Sequence, residues 1–220
     1  MRQIKKGKEP REWQEHRSTP GATYDPEKGP GPTAETKQAL REALVREQGY
    51  LCCYCMGRIR PTQDGMKIEH WAAQSMFPEH RMTYSNLLGA CLGGEGSRPA
   101  DQHCDTAKGN KALQIHPADP GKDCSALFGY ASTGKIDGRA DEARRDILTL
   151  NLNAPRLVQA RKAVLEGLLA WFRSHKNRGR SVSRSELLRK MRSHDDTSEE
   201  LDPFCQVAIY WLTKHANQRA

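Results

Sequence analysis

The chain has 220 residues, a formal net charge of +8 and only 36% hydrophobic residues, with a mean hydropathy of -0.82. This length and composition predict one modest hydrophobic core with appendages. No apolar run approaches the ~18 residues that span a bilayer, and none follows the basic N-terminus as a signal peptide requires. We therefore expect a soluble, intracellular protein.

The first third of the chain predicts an arm, a helix and a strand. Residues 1–32 are rich in proline, glycine and charge, which predicts an extended arm with little structure of its own. Thr33 can cap a helix over about 34–48, and Gly49 then ends it. Residues 66–71 alternate well enough for a short strand.

The rest of the chain is predicted to be mainly helical. Between loops we expect short helices over 84–90 and 105–113, and residues 118–137 are expected to form a loop. A helix over 140–148 and a long one over 155–174 follow, then a helix that starts at the capping box of Ser183 and Glu186, and a last one opened by Pro203. The predicted fold class is α+β, mainly α-helical, divided into an arm (1–32), a core (33–117) and a helical C-terminal region (118–220).

Seven cysteines suggest a metal site. The count is odd and includes a C-x-x-C pair, a pattern that favours metal binding in a reducing compartment over a disulfide framework. A structural zinc takes four tetrahedral ligands, and Cys52, Cys55, Cys91 and Cys104 could supply them if the glycine-rich segment 93–102 loops out. Cys53 is then a spare thiol and His103 an alternative ligand. The competing interpretation is a set of ordinary thiols.

Four polar residues around these cysteines suggest hydrolysis of a phosphodiester bond, which needs an activated water and a countercharge. His70 could accept the proton of the water, and Glu69 with Asp105 could bind Mg²⁺ or Mn²⁺. Asn86 could fix the orientation of His70. Each residue alone has an ordinary explanation. His70 could be a hydrogen-bonded histidine and Glu69 a solvated carboxylate. Asp105 could be a helix cap and Asn86 a loop residue. Phosphate contacts are predicted for two lysines, Lys108 and Lys111.

These motifs resemble the HNH endonuclease family in their order along the chain. The resemblance rests on Ile68-Glu69-His70-Trp71, Asn86-Leu87-Leu88 and His103-Cys104-Asp105, with the cysteine pairs around them. It implies a zinc-stapled ββα-metal core, His70 as the base, Asn86 as the central asparagine and Asp105 as the final metal-binding position. Two departures are Glu69, where the family commonly has Asp, and the expanded second cysteine pair.

A narrower resemblance accommodates both departures. Leu51-Cys52-Cys53-Tyr54-Cys55-Met56, Lys67-Ile68-Glu69-His70-Trp71 and His103-Cys104-Asp105 are similar to the PtuB family, the HNH component of Septu and retron-associated anti-phage systems. The similarity spans residues 1 to about 117. It implies a bacterial cytoplasmic nuclease of DNA or RNA that works with a PtuA-like ABC-type ATPase. In retron versions it also implies a reverse transcriptase with its RNA–DNA product.

Three alternatives stay open from the sequence. The whole chain could be a zinc-stapled module that binds nucleic acid or scaffolds a complex without cutting. The basic residues of segment 173–192 could bind phosphates or form a solvated linker. The last helix could dock on a partner or pack against the chain's own core.

Overall fold

The computed structural model describes residues 1–195 and 200–218, so a small part of the predicted C-terminal region lies outside the described residues. The fold is α+β and mostly helical, as the sequence predicts. None of the described helices combines the length and apolar character needed to cross a membrane. The elements in chain order are α1 (Arg11–Ser18), α2 (Ala34–Glu47), β1 (Lys67–His70), β2 (Leu87–Ala90), α3 (Cys104–Lys108), β3 (Phe128–Tyr130), β4 (Ile136–Gly138), α4 (Asp141–Thr149), α5 (Pro155–Asn177), α6 (Arg184–Ser193) and α7 (Cys205–Asn217).

The N-terminal segment is not the unstructured arm that its composition predicts. It contains helix α1, and Pro10 stands directly before that helix, where its missing N–H leaves no hydrogen bond unmade. The side chains of Ile4 and Trp13 are buried in the main hydrophobic core, and the Ile4 amide donates to the Pro117 carbonyl at 2.8 Å. A few apolar side chains, with Met1 also fully buried, thus hold this polar segment on the core.

The hairpin of β1 and β2 forms the centre of the core region. The strands are antiparallel, with His70 opposite Leu87 and Lys67 opposite Ala90. The helix predicted over 84–90 is wrong: one 3₁₀ turn is followed by β2, whose four residues are all buried. A short, fully apolar run does not distinguish a buried strand from a buried helix by its period.

Helix α2 packs against this hairpin through a paired amide. Gln48 Nε2 donates to the Gly89 carbonyl at 2.8 Å, and the Gly89 amide donates to Gln48 Oε1 at 2.6 Å. The Gln48 side chain thereby satisfies backbone groups that a third strand would otherwise pair with. After β2 the chain reaches α3, which is shorter than predicted because Gly109 leaves the helical region at φ +54°.

The C-terminal region contains a second sheet and a separate three-helix unit. The loop predicted over 118–137 is wrong in part, because three-residue strands at 128–130 and 136–138 pair as a small hairpin. Helices α5, α6 and α7 enclose a second apolar cluster with Leu168, Leu187 and Leu212. The predicted capping box at Ser183 is present. The last helix packs against the chain's own core through residues such as Val207.

A buried arginine ties the start of α5 to the loop between β3 and β4. Arg161 is 1% exposed. Its guanidinium donates to the carbonyls of Gly134 and Leu152, both at 2.7 Å. These contacts satisfy two backbone oxygens that water does not reach.

We expect Arg161→Met to lower the free energy of unfolding by about 2–4 kcal/mol, because two buried carbonyls lose their donors while the methionine keeps much of the packing volume. Urea denaturation would measure this change. Arg156→Met on the same helix is the matched control, since Arg156 is exposed, and it should change stability by less than about 0.5 kcal/mol. Equal effects of the two substitutions would show that the buried hydrogen bonds contribute nothing.

Candidate metal centre and active site

The first cysteine pair lies on a tight turn. The Met56 amide donates to the Cys52 carbonyl at 3.0 Å, and the Cys52 amide donates to the Gly57 carbonyl at 2.8 Å. Met56 has a left-handed φ of +66°, and the Gly57 amide then donates to Cys55 Sγ at 3.3 Å. These bonds direct both thiols of the C-x-x-C pair to the same side of the turn.

The second pair is brought together by a loop that closes on itself. Gly93 has φ +60°, and its carbonyl accepts from the His103 amide at 2.8 Å. A Cβ at Gly93 would lie 2.2 Å from the His103 carbonyl oxygen, so only glycine fits at this crossing. The intervening segment therefore loops out, as predicted, and the chain returns to place Cys104 beside Cys91.

The four predicted sulfur ligands meet in one cluster. The Sγ atoms of Cys52, Cys55, Cys91 and Cys104, named here the cysteine cluster, all lie within 4.8 Å of one another. Two of the separations are 3.9 Å (Cys52 to Cys104) and 3.8 Å (Cys55 to Cys91). Tetrahedral zinc with Zn–S bonds of about 2.3 Å places its sulfurs about 3.8 Å apart. The cysteine cluster thus has the donor set and spacing for a zinc ion.

The neighbours of the cluster follow the predictions as well. Cys53 is buried outside it, and His103 lies beside it, with Nδ1 3.2 Å from Cys104 Sγ. A hydrogen bond from Cys104 is the main cause that lowers the pKa of Cys91 to about 7, whereas burial raises the pKa of Cys104. Four packed sulfurs become thiolates together only when a cation compensates their charge.

We expect the purified protein to contain about one zinc per chain and Cys104→Ser to contain less than half an equivalent, because a tetrahedral structural site needs all four thiolates. Elemental analysis gives the stoichiometry, and thermal denaturation should show a lower Tm for the variant. Cys53→Ala is the matched control and should keep its zinc. A wild-type chain that folds with less than half an equivalent would refute the zinc assignment.

Three of the predicted catalytic residues line one open cleft. Glu69, His70 and Asp105 face a space of about 410 Å³, named here the acidic cleft. Lys108 also lines it. A larger cavity of about 730 Å³ lies between Arg2, Arg46 and Asp195, but it contains none of the four predicted catalytic residues, so volume alone does not locate the site.

Glu69 is buried and held by two donors. Its Oε1 accepts from the Tyr54 hydroxyl at 2.8 Å and from the Lys108 ammonium at 2.5 Å. Burial, followed by a hydrogen bond with Asp105 and the charge of Asp105, raises the pKa of Glu69 to about 8, while Lys108 opposes this shift. Two carboxyl groups that converge in this way share a proton or a cation.

The two carboxyl groups offer oxygen donors to the cleft. Oxygen donors are those that Mg²⁺ and Mn²⁺ prefer, and such ions keep several water ligands. Among the described residues, the cysteine cluster is the one group of three or more closely gathered His, Cys, Asp or Glu donors. An ion at Glu69 and Asp105 would therefore be completed by water.

His70 is held as a neutral imidazole with a defined tautomer. Its Nε2 lies 3.0 Å from the Arg81 carbonyl, and because a carbonyl only accepts, Nε2 carries the proton and Nδ1 keeps its lone pair. Burial lowers the pKa of His70 to about 4. The ring of Tyr24 stands edge-on to the imidazole, with the centroids 4.5 Å apart. The side chain is thus oriented and unprotonated at neutral pH, as a proton acceptor must be.

Asn86 acts on this histidine from a distance. Its Oδ1 accepts from the Ala72 amide at 2.8 Å, and its Nδ2 donates to the carbonyls of Ala72 at 3.2 Å and His80 at 3.1 Å. These bonds fasten the loop that delivers the Arg81 carbonyl to His70. Asn86 does not line the cleft. The geometry agrees with the predicted positioning role and gives Asn86 no direct contact with a reactant.

The prediction for Lys108 is wrong. Its side chain is 1% exposed and paired with Glu69, and its ammonium also donates to the His70 carbonyl at 2.7 Å. A lysine committed to these buried acceptors does not contact a phosphate. Lys111 is exposed beyond the end of α3, so its predicted phosphate contact stays a prediction.

Sequence reasoning missed four residues that shape the acidic cleft. Tyr54 fixes Glu69 from the first cysteine turn, and three further side chains line the cleft, namely Tyr24, Lys37 and Arg41. Tyr24 belongs to a segment whose composition suggests no structure. The spacing of Lys37 and Arg41 on one helix face was the available signal, but nothing in the sequence placed that face at the cleft that His70 lines.

Comparison with known proteins assigns the chain to no family. No protein-family model matches the chain, and no significant match to a curated protein is found.

Proposed function

We propose that this protein is a metal-dependent endonuclease that hydrolyses phosphodiester bonds of nucleic acid. The observation that carries the proposal is the convergence of Glu69, His70 and Asp105 on one cleft. A neutral imidazole beside two carboxyl groups offers a proton acceptor and a cation site together. A protein that only binds nucleic acid has no use for that combination.

In the proposed reaction, His70 Nδ1 accepts a proton from the attacking water, because Nε2 is occupied by the Arg81 carbonyl. Asn86 and the loop it fastens keep the imidazole in this orientation. Lys108 and Tyr54 hold Glu69 in place. A divalent ion bound by Glu69 and Asp105 would supply countercharge to the phosphate oxygens and to the leaving oxygen.

The cysteine cluster supports this site by joining three segments. Cys91 directly follows β2, and Cys104 is the first residue of α3, next to Asp105. A zinc ion at the cluster would tie both ends of the expanded loop to the first cysteine turn. It would thereby hold Asp105 against the hairpin that carries Glu69 and His70. Two antiparallel strands followed by α3 are in keeping with the ββα-metal core of HNH nucleases.

The wider biological role is proposed from the sequence resemblance. The motifs similar to PtuB suggest an effector of a bacterial anti-phage system, of Septu or retron type, acting in the cytoplasm. Its expected partners are a PtuA-like ABC-type ATPase and, in a retron setting, a reverse transcriptase with its RNA–DNA product. The substrate is DNA or RNA, and an active site that engages the phosphate backbone carries little base specificity.

We expect His70→Ala to lower the cutting rate by about 10²–10⁴-fold, because the reaction loses its general base. A nicking assay on plasmid DNA and on RNA with Mg²⁺ or Mn²⁺ would measure it, with the ATPase partner added in parallel reactions. His80→Ala is the matched control: His80 is exposed, and its contribution to the site is its backbone carbonyl. Equal cutting by wild type and His70→Ala would identify the activity as contamination.

The rival function is a zinc-stapled binding module that does not cut. It shares the cysteine cluster and the basic surface with the nuclease and differs only in the use of the acidic cleft. This rival would be favoured if the protein bound nucleic acid tightly but did not cut it with Mg²⁺ or Mn²⁺, even when the ATPase was added.

The basic residues of segment 173–192 are proposed to contact phosphates. Seven of the eight, all but Lys190, are exposed. Within the described residues, Arg180 is the one that forms an ion pair, with Glu186 at 3.0 Å. The set is Arg173, Lys176, Arg178, Arg180, Arg184, Arg189, Lys190 and Arg192.

Reversing Arg178, Arg184 and Arg189 to Glu should flatten the salt dependence of nucleic-acid binding, by about 0.7–0.9 in the slope of log K against log salt for each phosphate that is no longer neutralised. Fluorescence anisotropy over a salt series would measure the slope. The control reverses three exposed basic residues outside the segment, Lys122, Arg145 and Arg156. An unchanged slope would assign the segment to a solvated linker.

A further inference from the structure

Two cationic side chains that line the acidic cleft have no acidic partner. Lys37 and Arg41 stand one turn apart on α2 and both line the cleft. Among the described residues, no carboxylate oxygen lies within 4.0 Å of the charged nitrogens of either side chain, the distance that defines an ion pair. Lys67, a partly exposed cation that also lines the cleft, is already engaged by Asp105 at 3.6 Å and Glu95 at 3.4 Å.

Arg41 also has a buried donor with nothing to receive it. Its Nε is shielded from solvent and makes no hydrogen bond to any described residue. Buried N–H groups of a guanidinium almost always have an acceptor, and because Arg41 lines an open cleft, a bound ligand or water can supply one there. Tyr24 lines the same cleft, and its ring lies 5.9 Å from the Lys37 ammonium.

The pair is unfavourable unless an anion joins it. Like charges at positions i and i+4 of a helix repel each other. An anion between them would reverse this effect and would also receive the orphan Nε–H. A planar guanidinium is suited to a phosphate because it can donate two parallel hydrogen bonds to two oxygens.

We infer that Lys37, Arg41 and the Tyr24 ring form a phosphate-binding subsite that holds the phosphodiester backbone of a nucleic acid in the acidic cleft, which Glu69 and Asp105 also line. The inference rests on the proposed nuclease function for its ligand. The subsite positions a phosphate in the same cleft as the base and its carboxyl groups. It assigns the folded N-terminal segment a place in substrate binding, because Tyr24 comes from that segment and lies between His70 and the α2 pair.

The subsite can be tested by binding that does not depend on hydrolysis. The parent protein is the full-length His70→Ala variant, without added divalent ion, and the probes are fluorescent single-stranded DNA and RNA oligonucleotides of the same sequence. The double substitution Lys37→Met and Arg41→Met should weaken binding of at least one probe by about tenfold or more. It should also lower the slope of log K against log salt by roughly one and a half.

Two further variants separate the subsite from general charge and from folding. Arg46→Met removes a charge from the same helix, but Arg46 lines the larger cavity, so the variant should bind within about twofold of the parent. Arg41→Lys keeps the charge but loses the two parallel hydrogen bonds of the guanidinium, so its affinity should lie between those of the parent and Arg41→Met. Urea denaturation of each variant shows that binding is compared among folded proteins.

The possible results distinguish this inference from the proposed function. The subsite would be overturned if the parent and the double variant bound both probes with equal affinity. It would also be overturned if the double variant bound no more weakly than Arg46→Met. A parent that binds neither strand would overturn it as well. A wild-type protein that never cuts, combined with a double variant that loses binding, would refute the nuclease and leave the phosphate subsite standing.

Discussion

The constraint on which the site depends is the meeting of four sulfur atoms from three separate segments. The first cysteine turn, the end of β2 and the start of α3 meet at these sulfur atoms, and α3 is only five residues long. A helix of that length has no stability of its own. The position of Asp105 relative to Glu69 therefore depends on Cys104, its neighbour in sequence, and on Lys108 of the same helix, whose ammonium binds Glu69 and the His70 carbonyl.

The acidic cleft shows how one hairpin can serve two chemical roles. Successive residues of a strand point to opposite faces, yet Glu69 and His70 both reach the cleft because β1 ends at His70 and the chain bends there. The Glu69 carboxylate is held by Tyr54 and Lys108, and the His70 imidazole by the Arg81 carbonyl. Each of the two reactive groups is thus fixed by its own hydrogen-bond partners.

The sequence predicted the cysteine cluster and three cleft residues well because their signals are local. Cysteine spacing and a Glu-His pair at the end of a strand are visible in a few consecutive letters. The wall made by Lys37, Arg41 and Tyr24 was not predictable, since it depends on how α2 and the N-terminal segment pack on the hairpin. The predicted role of Lys108 is wrong for the same reason: a lysine one turn after Asp105 looks exposed until the fold brings Glu69 above it.

The three-helix unit is anchored directly on the first cysteine turn. The Leu201 amide donates to the Gly49 carbonyl at 3.2 Å, the Phe204 amide donates to the Met56 carbonyl at 3.0 Å, and Arg58 donates to the Leu201 carbonyl at 2.6 Å. Met56 is the residue next to Cys55. A protein that binds α7 and displaces it would therefore pull directly on the thiol turn, so these hydrogen bonds couple the C-terminal helices to the cysteine cluster.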